Sequence, residues 1–316
     1  MNKVIGGFFD LELNKGTELY LGSIRLNTGR NCLEYILRAE NYQKIYLPRY
    51  ICDAVLEPIS RLNINYEYYN LDEELNPVIN NAVVKNETLL CVNYFGVKNK
   101  TIESISASIK NLIVDNTQAL FSKPIKGIDT FYSVRKFFGV PDGAYLFSNE
   151  KLKDKIEQDF SWPRMVHLLL RIDKSAEDGY PAFVINEEFL ENQPIKIMSK
   201  LTQALLQNID YEKAKVRRHE NFLYLHEKLH KLNDLKIDDN DVDAPMAYPL
   251  LFPKGKEIRE NLIKRKIFVA TYWENMKNIF DENSFEAYLS NNLLPLPIDQ
   301  RYNIDDMNVI LNQIKT

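Results

Sequence analysis

The sequence predicts an α/β fold, with three layers built on a mostly parallel sheet and a smaller C-terminal α+β domain closing the chain. Three observations predict it. Short β-rich runs alternate with helix-period segments through the first half. Two of these runs, Leu89-Leu90-Cys91-Val92 and Leu112-Ile113-Val114, are apolar throughout, as expected of strands buried on both faces. Past Phe147 the pattern shifts to charged helical stretches, an acidic linker and a compact tail.

In chain order, strands are expected at Lys44 to Leu47, Ile64 to Tyr69, Thr88 to Asn93, Leu112 to Asp115, Thr130 to Ser133 and Ala144 to Phe147. Helix-period apolar positions mark Arg30 to Ala39, Cys52 to Leu62 and Ile102 to Lys110. Lys151 to Asp159 is expected as a charged helix. Trp162 to Pro194 is expected to be irregular, broken by Pro163, Pro181 and Pro194. One long helix is expected from Met198 to Leu232, then an acidic linker from Asp234 to Asp243. The tail reads as strand (Ala247 to Phe252), helix (Lys256 to Lys266), strand (Ile267 to Thr271) and helices near Ser284 and Asp305. The expected division is 1–205 for the large domain and 206–316 for the long helix and small domain.

A chain of 316 residues suits one large and one smaller unit. The formal net charge of −4 gives no basic excess to attract nucleic acid or an acidic membrane surface. No stretch is long and apolar enough to span a bilayer, and Met1 to Phe9 lacks the basic-then-apolar pattern of a signal peptide. Cys32, Cys52 and Cys91 are few and widely spaced, so they read as buried thiols in a reducing cytoplasm. His226 and His230 have helical i, i+4 spacing. Lys228 and Lys231 lie beside them, with no Glu at the zinc-protease position, so they read as a solvated face and no metal site is expected.

Three segments carry candidate chemistry, each near a strand end, where open α/β sheets bind ligands. In Asn27-Thr28-Gly29-Arg30-Asn31, Thr28 or Asn27 can cap a helix. Gly29 allows close backbone approach, and the free amides and helix dipole make a phosphate seat to which Arg30 adds charge. In Ile113-Val114-Asp115-Asn116-Thr117-Gln118-Ala119, a carboxylate ends a buried strand and needs a compensating partner. The bland alternative is that Asp115 caps a helix. In Phe131 to Gly143, Lys136 stands between a strand and a Gly/Pro turn, beside Phe137 and Phe138. Desolvation there would lower its pKa and make it a nucleophile. The alternative is a lysine reaching from a strand end to water. Ser133, three residues earlier, can face the same phosphate. Tyr66-Glu67-Tyr68-Tyr69 reads as a half-buried strand rather than a stacking platform.

The order and spacing of these segments resemble the DegT-type aminotransferases of nucleotide-linked keto sugars, which have the aspartate-aminotransferase fold (fold type I). Val114-Asp115-Asn116-Thr117-Gln118-Ala119 matches the family's strand end, and Ser133 to Ala144 matches its lysine segment. Leu47-Pro48-Arg49-Tyr50, Met198-Ser199, Arg217-Arg218 and Leu294-Pro295-Leu296-Pro297 resemble further landmarks, so the resemblance covers nearly the whole chain. It implies pyridoxal 5'-phosphate as cofactor and transamination from an amino acid such as glutamate to a sugar, in cell-surface polysaccharide or amino-sugar synthesis. It implies that Lys136 bonds the cofactor and later moves the proton, that Asp115 pairs with the pyridine nitrogen and that Gln118 contacts the ring or its 3-hydroxyl. Gly29, Arg30, Asn31 and Ser133 would surround the phosphate. Enzymes of this fold type build each site from two chains, so a homodimer is implied.

The chain departs from the family pattern at four places. The phosphate serine's usual position holds Phe131, leaving Ser133 to serve. Arg30 replaces the threonine of the phosphate turn. The family's Asn-x-Arg-Met reads Ile195-Lys196-Ile197-Met198. The ring-stacking aromatic falls near Cys52, with Tyr50 as its substitute. These departures keep a second reading open, a non-catalytic relative acting as a binding or scaffold module. A third, a sugar dehydratase, is disfavoured because those relatives carry His where Lys136 stands.

Overall fold

The computed structural model describes residues 5–80 and 82–314. Residues 1–4, part of the Met1 to Phe9 stretch, lie outside the described residues. Strand β1 (Ile24–Leu26) leads into helix α1 (Gly29–Glu40), and β2 (Lys44–Pro48), α2 (Leu56–Arg61), β3 (Asn65–Leu71) and β4 (Pro77–Val78) follow. Next come β5 (Glu87–Val92), α3 (Asn99–Ser108), β6 (Leu112–Asp115), β7 (Asp129–Ser133) and β8 (Ala144–Phe147). Then β9 (Glu157–Gln158), α4 (Val166–Asp173), α5 (Ala176–Phe189), β10 (Lys196–Ile197), α6 (Lys200–Gln207) and α7 (Tyr211–Leu229). The chain closes with β11 (Ala247–Leu251), α8 (Gly255–Lys264), α9 (Phe285–Asn292), β12 (Leu293–Pro297) and α10 (Ile304–Ile314).

Ten strands form one sheet in the order β4-β3-β2-β5-β6-β7-β8-β1-β10-β9. The five from β3 to β7 run parallel. Strand β8 runs antiparallel to both neighbours, β7 and β1. Strand β1 therefore points the same way as β7. The helix it feeds, α1, starts at the edge where β5, β6 and β7 end. The fold is the expected mostly parallel α/β sheet, and its central strands β5 and β6 are almost fully buried, as their unbroken apolar sequence requires. Helix α1 lays Cys32, Leu33, Ile36 and Leu37 on the sheet. A two-stranded antiparallel ribbon, β11 with β12, carries α7, α8 and α10 at the other end of the chain. Leu251, Trp273, Leu289 and Leu293 pack into the same apolar cluster as the central strands.

Four expectations are corrected. Lys151 to Asp159 is not a helix; the segment runs in bends into β9, which pairs with β10. Trp162 to Pro194 is not irregular; it forms the α4–α5 hairpin. Pro163 sits at the start of a 3-10 turn, where a missing amide costs nothing. Ser175 caps α5 by accepting from the Asp178 amide, and that start outweighs Pro181 inside the helix. The long helix from Met198 to Leu232 is two helices. Asn208 ends α6, and Asp210 restarts the chain as α7 by accepting from the Lys213 amide. Ile267 to Thr271 is no strand. Lys266, at φ +62°, turns the chain out of α8, and the β11–β12 ribbon takes no third strand.

The turn before β8 is held by Gly143 and Asp142. Gly143 has φ +121°, and a Cβ there would lie 2.7 Å from Val134 Cγ2. Asp142, fully buried, accepts from the Ser199 amide at 2.8 Å, from Ser199 Oγ at 2.8 Å and from Thr202 Oγ1. Gly143→Ala is expected to destabilise the protein by about 1–3 kcal/mol, read as a lower urea midpoint.

Candidate active site

The site gathers where β6 and β7 end beside the start of α1. Asp115 is the last residue of β6 and is opposite Phe131 of β7. The Asn116 amide donates to the Phe131 carbonyl at 2.9 Å, so the chain leaves the sheet in a fixed turn. The Thr117 amide then donates to Asp115 Oδ1 at 2.8 Å. This is an Asx turn, which holds the carboxylate in one orientation. Burial pushes the Asp115 carboxyl up from its ordinary range, while the Lys136 charge and the Thr117 hydrogen bonds pull it down.

Lys136 closes a 3-10 turn, Val134–Lys136, directly after β7. Its Nζ donates to Thr117 Oγ1 at 3.1 Å. The expected desolvation of this lysine is not found, for its side chain is exposed. Its aromatic neighbours are buried instead. Phe137 lies under the Arg218 guanidinium at 4.5 Å, and Phe138 meets Tyr211 edge-on. The local sequence suggested an apolar setting because it could not say on which side of the turn each residue falls.

Helix α1 opens onto the same place. Thr28 Oγ1 accepts from the Asn31 amide, and the Thr28 carbonyl accepts from Cys32. The amides of Gly29 and Arg30 are the first of the helix and have no acceptor within it. A Cβ on Gly29 would stand 3.2 Å from Thr117 Cγ2 and 3.7 Å from the Phe131 ring, so glycine lets the helix start close to the Asp115 turn without crowding Thr117. The side chains of Arg30 and Asn31 are spent elsewhere. Arg30 Nη1 donates to Glu57 at 2.6 Å. Asn31, fully buried, donates to the Pro194 carbonyl at 2.6 Å and to Gln193 at 3.2 Å. The backbone amides remain open at this end, and Ser133, which begins the Lys136 turn, caps nothing with its side chain.

Gln118 is buried. Its Oε1 accepts from the Phe95 amide at 2.8 Å, and its Nε2 has no partner among the described residues. A buried donor without an acceptor is costly, and it suits a ligand oxygen. Tyr50 is fully buried in an aromatic cluster with Trp273 at 4.7 Å and Tyr94 at 5.9 Å. Burial pushes its hydroxyl well above the ordinary range, against the pull of the Arg259 charge. Burial pushes the Cys52 thiol up, and the charges of Lys136 and Arg30 oppose that rise. The structure thus brings Gly29, Asp115 and Lys136 together around Thr117, and sets Tyr50 in the core.

A cavity of about 540 Å³ opens beside Lys136 under the α4–α5 hairpin, with Arg135, His167, Arg171, Tyr180 and Phe183 on its wall. Arg135 pairs with Glu187, and burial pushes its guanidinium down to about 10. Arg218 is almost fully buried and ties the Phe137 carbonyl to the Pro245 and Met246 carbonyls and to Gln300, joining the lysine turn to the C-terminal part. In the sequence Thr117 stands out only as one position of the Asp115 segment. The Asp-x-Thr spacing of an Asx turn was the available signal. Nothing in the sequence pointed to His167. Of the two histidines, His226 on α7 stacks on Phe222 and contacts Tyr248, while His230, just past the helix end, is exposed.

No protein-family model and no curated protein sequence matches the chain. Solved structures do. A DegT/DnrJ/EryC1/StrS aminotransferase from Brucella abortus superposes with a TM-score of 0.62 at 14% identity, over 94% of this chain and 86% of that one. DesI, solved in the presence of its TDP-sugar product, gives 0.63 at 12% identity, over 92% and 79%. A protein of Streptococcus pneumoniae described as a sugar aminotransferase, in its PLP-form, gives 0.63 at 15% identity, over 92% and 86%. The chain has the sugar-aminotransferase fold. At these identities the likeness speaks for the architecture, and the chemistry rests on the residues above.

Those residues fit pyridoxal phosphate in part. A buried carboxylate, an orphaned Gln118 donor, open α1 amides and a lysine converge on one edge, whereas the Arg30 and Asn31 side chains are already engaged. Because burial raises the folded Asp115 carboxyl above its unfolded range, the folded chain holds that proton more tightly. Stability from this group is present at low pH and falls as pH rises through that interval. Cofactor-free Asp115→Asn is therefore expected to melt higher than the natural protein at neutral pH, with the gap closing towards acid pH. Scanning calorimetry across pH checks this.

Proposed function

We propose that this protein is a pyridoxal-phosphate-dependent aminotransferase that moves an amino group from an amino-acid donor, glutamate in the first instance, to a nucleotide-linked keto sugar. One observation carries the reading. Asp115 and Lys136, from the ends of adjacent strands, are held by one residue beside the open N-terminus of α1. The sugar and its nucleotide come from likeness to DesI and its TDP-sugar product. The proposed setting is cell-surface polysaccharide or amino-sugar synthesis in the cytoplasm, which the free thiols of Cys32, Cys52 and Cys91 suit. Residues 206–316 are proposed to act as the small domain.

When bound, the cofactor supplies an aldehyde that bonds amines and a protonated ring that draws electrons. Asp115 would hold that ring's nitrogen, and the ring's positive charge would compensate a carboxylate that burial disfavours. Gln118 Nε2 would donate to the phenolic oxygen. The Gly29 and Arg30 amides and Ser133 would hold the phosphate. Lys136 Nζ would hold the cofactor's aldehyde carbon and, as a free amine, would move the proton at the donor's Cα. Positioned proton transfer of this kind contributes about 10²–10⁴-fold.

We further propose a homodimer. Helices α4 and α5 carry Ile172, Tyr180 and Ile185 exposed, with Trp162 just before them, an apolar surface of the kind that marks an interface. Among the described residues no helix is long and apolar enough to cross a membrane. A second copy is the proposed occupant. Light scattering is expected to give twice the chain mass, falling to one chain in Ile172→Glu with Ile185→Glu.

A second reading, a non-catalytic binding module, is favoured by one observation. Arg30 and Asn31 are both committed to protein partners. Near-visible absorbance separates the two. With pyridoxal phosphate the natural protein is expected to give a coloured adduct that glutamate bleaches, absent in Lys136→Ala, whose turnover falls at least about 10²-fold. A colourless natural protein gives the binding-module reading the lead.

A further inference from the structure

Thr117 has three side-chain and backbone groups, and each is committed to a different part of the site. Its amide donates to Asp115 Oδ1 at 2.8 Å. Its Oγ1 accepts from Lys136 Nζ at 3.1 Å. Its Cγ2 lies 3.2 Å from where a Gly29 Cβ would stand, so the methyl rests on the first residue of α1. These three commitments leave the side chain one rotamer. A β-branched residue is already stiff about χ1, and here both branches are occupied.

We infer that Thr117 is a positioning residue that fixes Lys136 relative to Asp115, by way of its hydroxyl and its backbone amide. Lys136 is exposed, and a lysine side chain is long, flexible and rich in rotamers. Among the described residues Thr117 Oγ1 is the hydrogen-bond acceptor of Nζ, and without it only the charge of Asp115 draws the amine towards the carboxylate. Asp115 has its own constraint from the Asx turn, which any residue at 117 except proline can provide. The hydroxyl is what extends the constraint to the lysine. The carboxylate and the amine that the proposed chemistry needs are thus spaced by a single side chain, and not by the sheet alone.

The inference rests on the proposed function for its meaning, but its geometry is testable without cofactor. The probe is fluorodinitrobenzene applied to the cofactor-free protein, with labelling at Lys136 followed by peptide mass spectrometry and exposed Lys231 as internal control. Thr117→Val keeps the methyl and loses the hydroxyl, and Thr117→Ser does the reverse. Labelling of Lys136 is expected to rise about two- to fivefold in Thr117→Val, because the amine loses its acceptor, and to return towards the natural rate in Thr117→Ser. Lys231 should label alike in all three. In parallel, coloured-adduct formation with pyridoxal phosphate is expected to slow about tenfold in Thr117→Val and recover in Thr117→Ser. Opposite movement of the two rates is a result that loosened packing would not give. Unchanged Lys136 labelling in Thr117→Val, or an equal change in Thr117→Ser, would overturn the inference. If the natural protein forms no coloured adduct, the proposed function fails while the labelling comparison still decides the role of Thr117.

Discussion

The site depends on one lateral row of the sheet. Ser133 of β7 is opposite Ala144 of β8, which is opposite Leu26 of β1, which is opposite Ile197 of β10. Because β8 runs against both neighbours, this row places the exit of β1 level with the exit of β7. Two residues beyond Leu26 the chain caps α1 at Thr28. Three residues beyond Ser133 it reaches Lys136. A one-residue slip in either pairing would turn every side chain in that strand to the opposite face. The connection from β7 to β8, residues 134–143, closes on a glycine at φ +121°, and a buried carboxylate beside it locks it to the start of α6.

The same arrangement leaves the edge of the sheet under electrostatic load. Asp115 is buried with its carboxyl raised, Gln118 has an unpartnered donor, and Arg135 is pushed down by burial. None of these helps the fold on its own. Asp115 and Gln118 are groups that a charged, hydrogen-bonding ligand would relieve, whereas Arg135 has Glu187; all lie at the end of β6 or on the segments that follow β6 and β7. Stability is supplied elsewhere, by the apolar strands β5 and β6 and by α1 laid across the sheet. Functional sites commonly break the local rules that the rest of a sequence keeps.

Phosphate recognition is where this chain differs most from a simple motif reading. Arg30 belongs to an ion-pair group with Glu57 and Arg61, between α1 and α2. Asn31 fastens α1 to the segment before β10 through the Pro194 carbonyl. Both positions look like ligand contacts in sequence because they follow a cap and a glycine. In space, the side chains on the first turn of α1 point to different sides, and only the backbone amides face outwards along the helix axis.

The sequence by itself determined the α/β alternation, the buried strands β5 and β6, and the adjacency of Asp115, Gln118, Ser133 and Lys136 to strand ends. These follow from local periodicity, and a strand end is a position along the chain. It could not determine the α4–α5 hairpin, the break between α6 and α7, or the unpaired fate of Ile267 to Thr271. Those depend on caps that outcompete a proline, and on whether a strand finds a partner. Nor could it determine that Lys136 is exposed, that Tyr50 is core, or that Thr117 joins two charges. Side-chain direction is set by strands and helices brought from elsewhere in the chain, so only the tertiary structure decided which of the candidate residues share one space.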